Sequence, residues 1–128
     1  MELAPYFKSM VEQDRCAVVV CGVDHTILYL NPAAVRQYAK WGGAALAGKR
    51  LLDCHNATSC EMIQKVVDWF GESAEHNRVY THHNPKQNKD VYMVALRDDS
   101  ARLIGYYEKH EYRTAETARP YDLCRQED

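Results

Sequence analysis

The chain has 128 residues, the usual size of one domain. A composition that is 46% hydrophobic and 27% charged is typical of a globular protein and excludes a disordered chain. The 16 Lys and Arg residues and the 18 Asp and Glu residues give a net charge of −2, which leaves no excess of cations to bind nucleic acid.

The sequence shows no pattern for export, membrane insertion or a disulfide framework. The longest apolar run, residues 16–23, is far shorter than the ~20 residues that span a bilayer. The N-terminus lacks the basic start and apolar stretch of a secretory signal. The five cysteines are odd in number and irregularly spaced, which indicates reduced thiols. We therefore expect a cytoplasmic protein that does not bind a membrane.

The first predicted element is a helix. Apolar residues recur at helical spacing near the N-terminus, at Leu3, Phe7, Met10 and Val11. This spacing predicts a short amphipathic helix within residues 1–15. Its apolar side either packs on the same domain or forms a dimer contact, and both alternatives stay open at this point.

A hairpin and a second helix follow. Residues 16–21 and 26–30 are two runs of β-branched and other apolar residues separated by a turn, which is the pattern of two antiparallel strands. Asn31 and Pro32 then form a helix start, because an Asn side chain accepts from the free N–H groups of a first turn and Pro fits the first helical position. Gly42 follows this helix and ends it.

The next predicted helix is the longest. Thr58 and Glu61 have the spacing of a capping box at its start. The apolar residues that follow lie at positions i, i+3, i+4 and i+7, namely Ile63, Val66, Val67 and Phe70. This pattern predicts a helix with one buried face that ends near Gly71.

From residue 78 onward the period becomes that of strands. Residues 78–83, 91–97 and 103–112 have the pattern of three strands joined by turns, followed by a tail. In the last strand neither face is properly apolar beyond Tyr107, which predicts that this end projects past the core. Strands at both ends of the chain with helices between them predict an α+β fold, an antiparallel sheet covered on one face by helices.

Several stretches, in this order, resemble those of PAS domains. Residues 27–34, ILYLNPAA, resemble the passage from the second strand to the helix that follows it. Residues 46–53, LAGKRLLD, resemble the stretch before the long helix, and residues 94–98 with 104–105 resemble the last hairpin. The resemblance extends over residues 17–114.

One stretch narrows the resemblance to a bacterial subgroup of PAS domains. Cys54, His55 and Ser59 match the Cys-His-Pro-Pro-x-Ser stretch of that subgroup. Asn56 and Ala57 stand where the subgroup has two prolines, so the loop here is expected to differ in shape.

The resemblance implies a PAS-like fold with a five-stranded antiparallel sheet, helices on one face and an N-terminal flanking helix. It divides the chain into the N-terminal helix, residues 1–15, the PAS domain, residues 16–114, and a C-terminal tail, residues 115–128. PAS domains bind a small molecule, or nothing, between sheet and helices and pass a change to a partner. The residues of the pocket, and not the fold, therefore decide the function.

Seven residues are candidates for contact with a ligand in this pocket: Cys54, His55, Ser59, Ile63, Tyr80, Tyr92 and Tyr106. The strand tyrosines combine an apolar ring with a polar tip. Cys54 and His55 precede the long helix, whose positive end favours a thiolate suited to redox sensing or metal ligation. In the alternative reading they are a structural thiol and a loop histidine bonded to backbone. Of His82 and His83, at most one can face the pocket.

The sequence thus predicts a non-catalytic sensory module of signal transduction, with no catalytic residues and no metal site. Its first candidate ligand is a small apolar molecule such as a fatty acid, and the second is haem. The signal would pass through a homodimer or a separate signalling protein. Two alternatives stay open, a haem- or metal-binding redox sensor that uses His55 and Cys54, and a ligand-free dimerisation module.

Overall fold

A computed structural model describes residues 1–125. Within these residues the strands are β1 (Val18–Gly22), β2 (Ile27–Leu30), β3 (Arg78–Asn84), β4 (Lys89–Arg97) and β5 (Leu103–Tyr112). They form one five-stranded sheet in the spatial order β2-β1-β5-β4-β3, and every neighbouring pair is antiparallel. The last strand of the chain is therefore the central strand of the sheet.

Helical segments cover one face of this sheet. In the described part of the chain the α-helices are α1 (Ala4–Gln13), α2 (Pro32–Gln37) and α3 (Ala57–Glu72). Short 3-10 turns lie at Ala39–Trp41, Gly43–Leu46, Leu51–Cys54 and Leu123–Arg125. The predicted α+β fold is confirmed, with α2 and α3 between the two groups of strands.

The core lies between the sheet and α2, α3 and the turns that join them. It is built from apolar side chains of both layers, among them Val19, Cys21, Ile27, Leu30, Ala34, Leu46, Leu51, Ile63, Val67, Phe70, Met93 and Tyr106. The predicted buried face of the long helix is confirmed, because Ile63, Val67 and Phe70, three of the four residues that the spacing assigns to it, are buried.

The prediction that the far end of β5 projects past the core is wrong. This strand pairs with β1 on one side and β4 on the other, and Glu108 lies in register with Val19 and Met93. Since both of these neighbours are buried, Glu108 faces the helical layer. His110, two residues further, has the same orientation and is only 7% exposed. Two polar side chains thus belong to the interior.

Asn31 joins the helical layer to the sheet. Its side chain is fully buried, and Oδ1 accepts from the N–H groups of Val18 and Ala34, both at 2.9 Å, so the predicted cap of α2 is confirmed. Its Nδ2 donates to backbone carbonyls between α1 and β1, those of Val11, Asp14 and Cys16, at 3.1, 3.2 and 2.9 Å. One amide therefore holds together the end of α1, β1 and the start of α2.

Helix α3 begins one residue after Asn56, whose side chain accepts from the N–H of Ser59 at 2.8 Å. The predicted capping box of Thr58 and Glu61 is wrong. Asn is as good a capping residue as Thr, and the extended backbone of Asn56 places its carboxamide over the first turn of the helix.

Helix α1 forms where the sequence predicts it, but none of its residues is buried. Leu3, which precedes the helix, and Tyr6, Phe7 and Met10 within it are between 49% and 68% exposed, and Val11 is half-buried. The structure therefore does not show the alternative in which this side packs on the same domain. No helix within residues 1–125 is long and apolar enough to cross a membrane. Of the predicted tail, residues 126–128 lie outside the described residues.

Candidate functional site

A cavity of about 790 Å³ lies between the inner face of the sheet and the segment that runs from α2 to the start of α3. Small-molecule sites commonly measure about 300–1,000 Å³. The apolar wall of the cavity consists of Val19, Ile27, Leu30, Leu46, Leu51 and the exposed Trp41. The polar side chains that line it are Tyr38, Lys49, Arg50, Asp53, Cys54, His55 and Glu108. The space is thus mainly apolar with a limited number of polar groups.

Glu108 brings a carboxylate from the central strand to this cavity, and its side chain is 19% exposed. Its Oε1 lies 3.2 Å from Nε2 of His110. Burial favours the neutral acid, but the hydrogen bond from His110 and the potential of nearby histidines outweigh it and lower the pKa of Glu108. These histidines are His110, His55 and His82. Glu108 is therefore ionised at neutral pH.

Lys89 determines which atoms donate and which accept in the contacts between Gln37 and His110. Its ammonium group, which can only donate, lies 2.6 Å from Oε1 of Gln37. Nε2 of Gln37 must then donate to Nδ1 of His110, at 3.4 Å. With Nδ1 as acceptor, a neutral His110 carries its proton on Nε2 and donates it to Glu108. The carboxylate of Glu108 thus accepts a hydrogen bond from Nε2 of His110.

Tyr38 completes this polar part of the wall. Its hydroxyl lies 3.2 Å from Nε2 of His110. Burial, followed by the negative charge of Glu108, raises the pKa of Tyr38 above its usual range. The phenol therefore stays protonated. Glu108, His110 and Tyr38 form one hydrogen-bonded cluster, which we call the Glu108 cluster.

The turn before α3 places Cys54 and His55 at the cavity. Nδ1 of His55 lies 2.9 Å from the carbonyl of Leu51, which can only accept, so Nδ1 carries a proton. Among the described residues no hydrogen bond joins His55 to the exposed Cys54, so the two are not arranged as base and nucleophile. The thiol of Cys60 donates to the carbonyl of Leu52 at 3.2 Å, and Cys60 is a free cysteine like Cys54.

Three other candidate residues lie near the cavity but do not line it. Ser59 is in the first turn of α3, and Ile63 is buried in the core. Tyr106 is 1% exposed, and its hydroxyl lies 2.8 Å from Nδ1 of the buried His25. Nε2 of His25 in turn lies 2.9 Å from Oε1 of Gln64. Tyr106 therefore belongs to a hydrogen-bond chain that runs from the core through His25 to the exposed Gln64.

Tyr80 and Tyr92 lie on the opposite face of the sheet, so their placement in the pocket is corrected. Tyr92 stands between Val91 and Met93, which are buried in the core, and alternation turns its ring outward. Tyr80 pairs with Tyr92 in register, with the ring centroids 5.4 Å apart. The guanidinium of Arg78 lies 3.9 Å from the centroid of the Tyr92 ring. Both tyrosines therefore belong to a polar outer surface.

Sequence reasoning missed the Glu108 cluster. The signal was present, because Tyr106, Glu108 and His110 share one side of the last strand. That alternation was interpreted as a strand end outside the core. The adjacent pair His82 and His83 does split between the two faces, since their register partners are the buried Val91 and the outward Asp90. Within residues 1–125 no group of three or more His, Cys, Asp or Glu side chains is placed to hold a metal ion.

The strand order, the helical layer on one face and the cavity between the two layers define a PAS fold. The expected five-stranded antiparallel sheet with helices on one face is confirmed. The particular bacterial subgroup with the Cys-His-Pro-Pro-x-Ser stretch is not shown by this fold and stays a prediction that rests on Cys54, His55 and Ser59.

Solved PAS structures are similar to this chain at low sequence identity. The PAS domain of a Colwellia psychrerythraea protein superposes with a TM-score of 0.65 at 12% identity, over 87% of this chain and 97% of that one. The PAS domain of Bordetella pertussis BvgS superposes with a TM-score of 0.60 at 12% identity, over 87% of this chain and 86% of that one. The Vibrio cholerae Aer2 receptor, a dual PAS-heme oxygen sensor, superposes with a TM-score of 0.59 at 16% identity, over 77% of this chain and 95% of that one. No protein-family model and no curated protein matches the sequence.

Proposed function

We propose that this chain is a non-catalytic, cytoplasmic sensory module that binds a small molecule in the cavity and passes its bound state to a second copy or to a separate signalling protein. The observation that carries the proposal is the cavity of about 790 Å³ between sheet and helices. Its volume lies within the range of small-molecule sites, and its lining offers a ligand both apolar and polar contacts. The PAS fold of the Aer2 oxygen sensor adds an example of a sensory protein with this architecture.

The lining of the cavity supports a ligand with an apolar body and at least one polar group. Leu30, Leu46 and Leu51 would contact the apolar part. A fatty acid, the first candidate from the sequence, would have to keep its carboxylate away from Glu108, since like charges repel. It would do so at the exposed Lys49 and Arg50.

A connected set of contacts supports a route from the cavity to α1. Glu108 faces the cavity, and the next residue, Lys109, points to the other face, where its Nζ lies 3.0 Å from Oδ2 of Asp14. The carbonyl of Asp14 also accepts from Asn31. A ligand that moves β5 would therefore change the position of the residue that follows α1, which is a population shift that a partner can detect.

The first test is native mass spectrometry of the purified chain. We expect an adduct of low molecular mass in the wild type and its loss in Leu46→Phe, because the larger ring enters the cavity. Leu28→Phe is the matched control, since Leu28 is 60% exposed, and it should keep the adduct. If the wild type carries no adduct and Leu46→Phe is more stable than the wild type, the cavity is not a binding site and the proposal fails.

Haem is the second candidate ligand, and one observation favours it. With Nδ1 of His55 bonded to the carbonyl of Leu51, Nε2 is the nitrogen left to ligate at the cavity wall. The same mass spectrum distinguishes the two candidates. A haem adduct together with a Soret absorption band that is lost in His55→Ala would select haem over other small molecules.

We also propose that the apolar side of α1 contacts a second copy of the chain. Leu3, Phe7 and Met10 form an exposed apolar stripe, which is unfavourable in water and becomes buried in a dimer. We expect the wild type to sediment as a dimer and Phe7→Glu to sediment as a monomer with an unchanged far-ultraviolet circular dichroism spectrum. A wild-type monomer at concentrations of about 100 μM, where a specific dimer would be populated, would contradict this.

A further inference from the structure

We infer that the ligand of this cavity carries an N–H donor group with positive charge, such as an amine, which pairs with the carboxylate of Glu108. The inference rests on the proposed function, because it names the ligand class of the same cavity. Its basis is the geometry of the Glu108 cluster: a carboxylate at the cavity wall whose hydrogen-bond donor is the imidazole of His110.

The hydrogen-bond directions show how this carboxylate is held at the cavity wall. Lys89 orients the carboxamide of Gln37, and Gln37 in turn donates to Nδ1 of His110. A neutral His110 then donates from Nε2 to Glu108. Glu108 therefore stands at the cavity wall as a carboxylate that accepts its hydrogen bond from one ring nitrogen of His110.

An anion in a largely apolar space selects strongly for its counter-charge. Removal of a charged group from water is costly unless an opposite charge or several donors compensate it. The side chain of Glu108 is already largely removed from water in the folded protein, so binding adds little to the cost of desolvating its carboxylate. A cationic donor therefore gains most of the free energy of a charge-assisted hydrogen bond. A neutral apolar molecule gains nothing from Glu108, and an anion is repelled by it.

The cations of the cavity do not reverse this preference. Lys49 and Arg50 are both exposed, and Arg50 donates through Nε to the backbone carbonyl of Asp24 at 3.3 Å. Charges in contact with bulk water are screened, so their effect on a ligand group is small compared with that of an interior carboxylate. The exposed Asp53 lies beside them with the opposite charge.

Three phenyl probes of similar size test this inference: 2-phenylethylamine, 2-phenylethanol and phenylacetate. Each is titrated into the full chain, and binding is followed by the amide NMR signals of cavity residues such as Gly48 and Leu51. We expect the amine to bind at least about tenfold more tightly than the alcohol, because both can donate a hydrogen bond to Glu108 but only the ammonium group also brings the opposite charge. Phenylacetate should bind more weakly than the alcohol.

Glu108→Gln removes the charge and keeps the shape of the side chain, and it should reduce amine affinity at least about tenfold while leaving the alcohol within twofold. Glu111→Gln is the matched control, because Glu111 lies on the outer face of the same strand, 3.0 Å from Arg113, and it should change neither affinity. The comparison of probes in the wild type does not depend on the folding of a variant.

The outcomes separate this inference from the proposed function. If the alcohol or phenylacetate binds as tightly as the amine, the inference is overturned while the sensory role stands. The inference is also overturned if Glu108→Gln binds the amine as the wild type does. If no probe shifts the amide signals of the cavity and no molecule is bound after purification, both the inference and the proposed function fail.

Discussion

Replacement of Asn31 by Asp is expected to lower the free energy of unfolding by about 4 kcal/mol, although the two side chains have the same shape. The carboxylate would still accept from Val18 and Ala34. Its second oxygen, however, would stand where Nδ2 now donates to carbonyls, those of Val11, Asp14 and Cys16. The side chain is fully buried, so water cannot relieve the repulsion. Urea unfolding followed by circular dichroism measures the loss.

Asn56→Asp is the matched control for this change. Asn56 also caps a helix, but its side chain is exposed and its described hydrogen bond is the one that it accepts from Ser59. Asp caps a helix as well as Asn does, and its charge is favourable near a helix N-terminus. We therefore expect a change of less than about 0.5 kcal/mol. Equal stabilities of the two variants would show that the donor contacts of Asn31 contribute nothing beyond a helix cap.

Gly105→Ala should be destabilising by about 3 kcal/mol or more, because the added methyl group has no space. A Cβ at this position would stand 2.2 Å from the carbonyl oxygen of Cys21 and 3.3 Å from Cα of Gly22. Both are backbone atoms of β1, which pairs with β5 here, so neither can turn away as a side chain would. The two strands would have to separate next to the buried Cys21 and Tyr106. Thermal unfolding measures the effect.

Gly71→Ala is the matched control for Gly105→Ala. Gly71 lies in the last turn of α3, and a Cβ there would meet no atom within 4 Å. Because Ala favours a helix over Gly, Gly71→Ala should raise the free energy of unfolding by about 0.5 to 1 kcal/mol. Opposite signs for the two glycine variants are the expected result, and a stable Gly105→Ala protein would mean that β1 and β5 do not approach as described.

Local chemistry made much of the fold predictable. The apolar spacing from Ile63 to Phe70 specified the buried face of α3, and Asn31 followed by Pro32 specified the start of α2. These signals depend on neighbours within one or two turns. The cap of α3 was misplaced for the same reason, because both Asn56 and Thr58 have suitable side chains and the backbone conformation decides between them.

The candidate site was predicted less well, because its residues come together through strand pairing. Cys54 and His55 do line the cavity, whereas Tyr80 and Tyr92 lie on the outer face. A strand pattern shows which residues share a side but not which side is covered. In β3 the pairing register with β4 shifts between Tyr80 and His82. Simple alternation counted along the sequence therefore does not give the face of every residue in this strand.

Taken alone, the sequence determined the order of helices and strands, the antiparallel class of the sheet and the amphipathic character of α1. Only the tertiary structure decided that β5 is the central strand and that Glu108 and His110 therefore face inward. Helix and turn propensities act over a few residues, so they are present in the sequence. Burial of a charged strand residue depends on elements far away in the chain that enclose it. Here His110 supplies the hydrogen bond to Glu108, and Gln37, which accepts from Lys89, contacts the other ring nitrogen of His110.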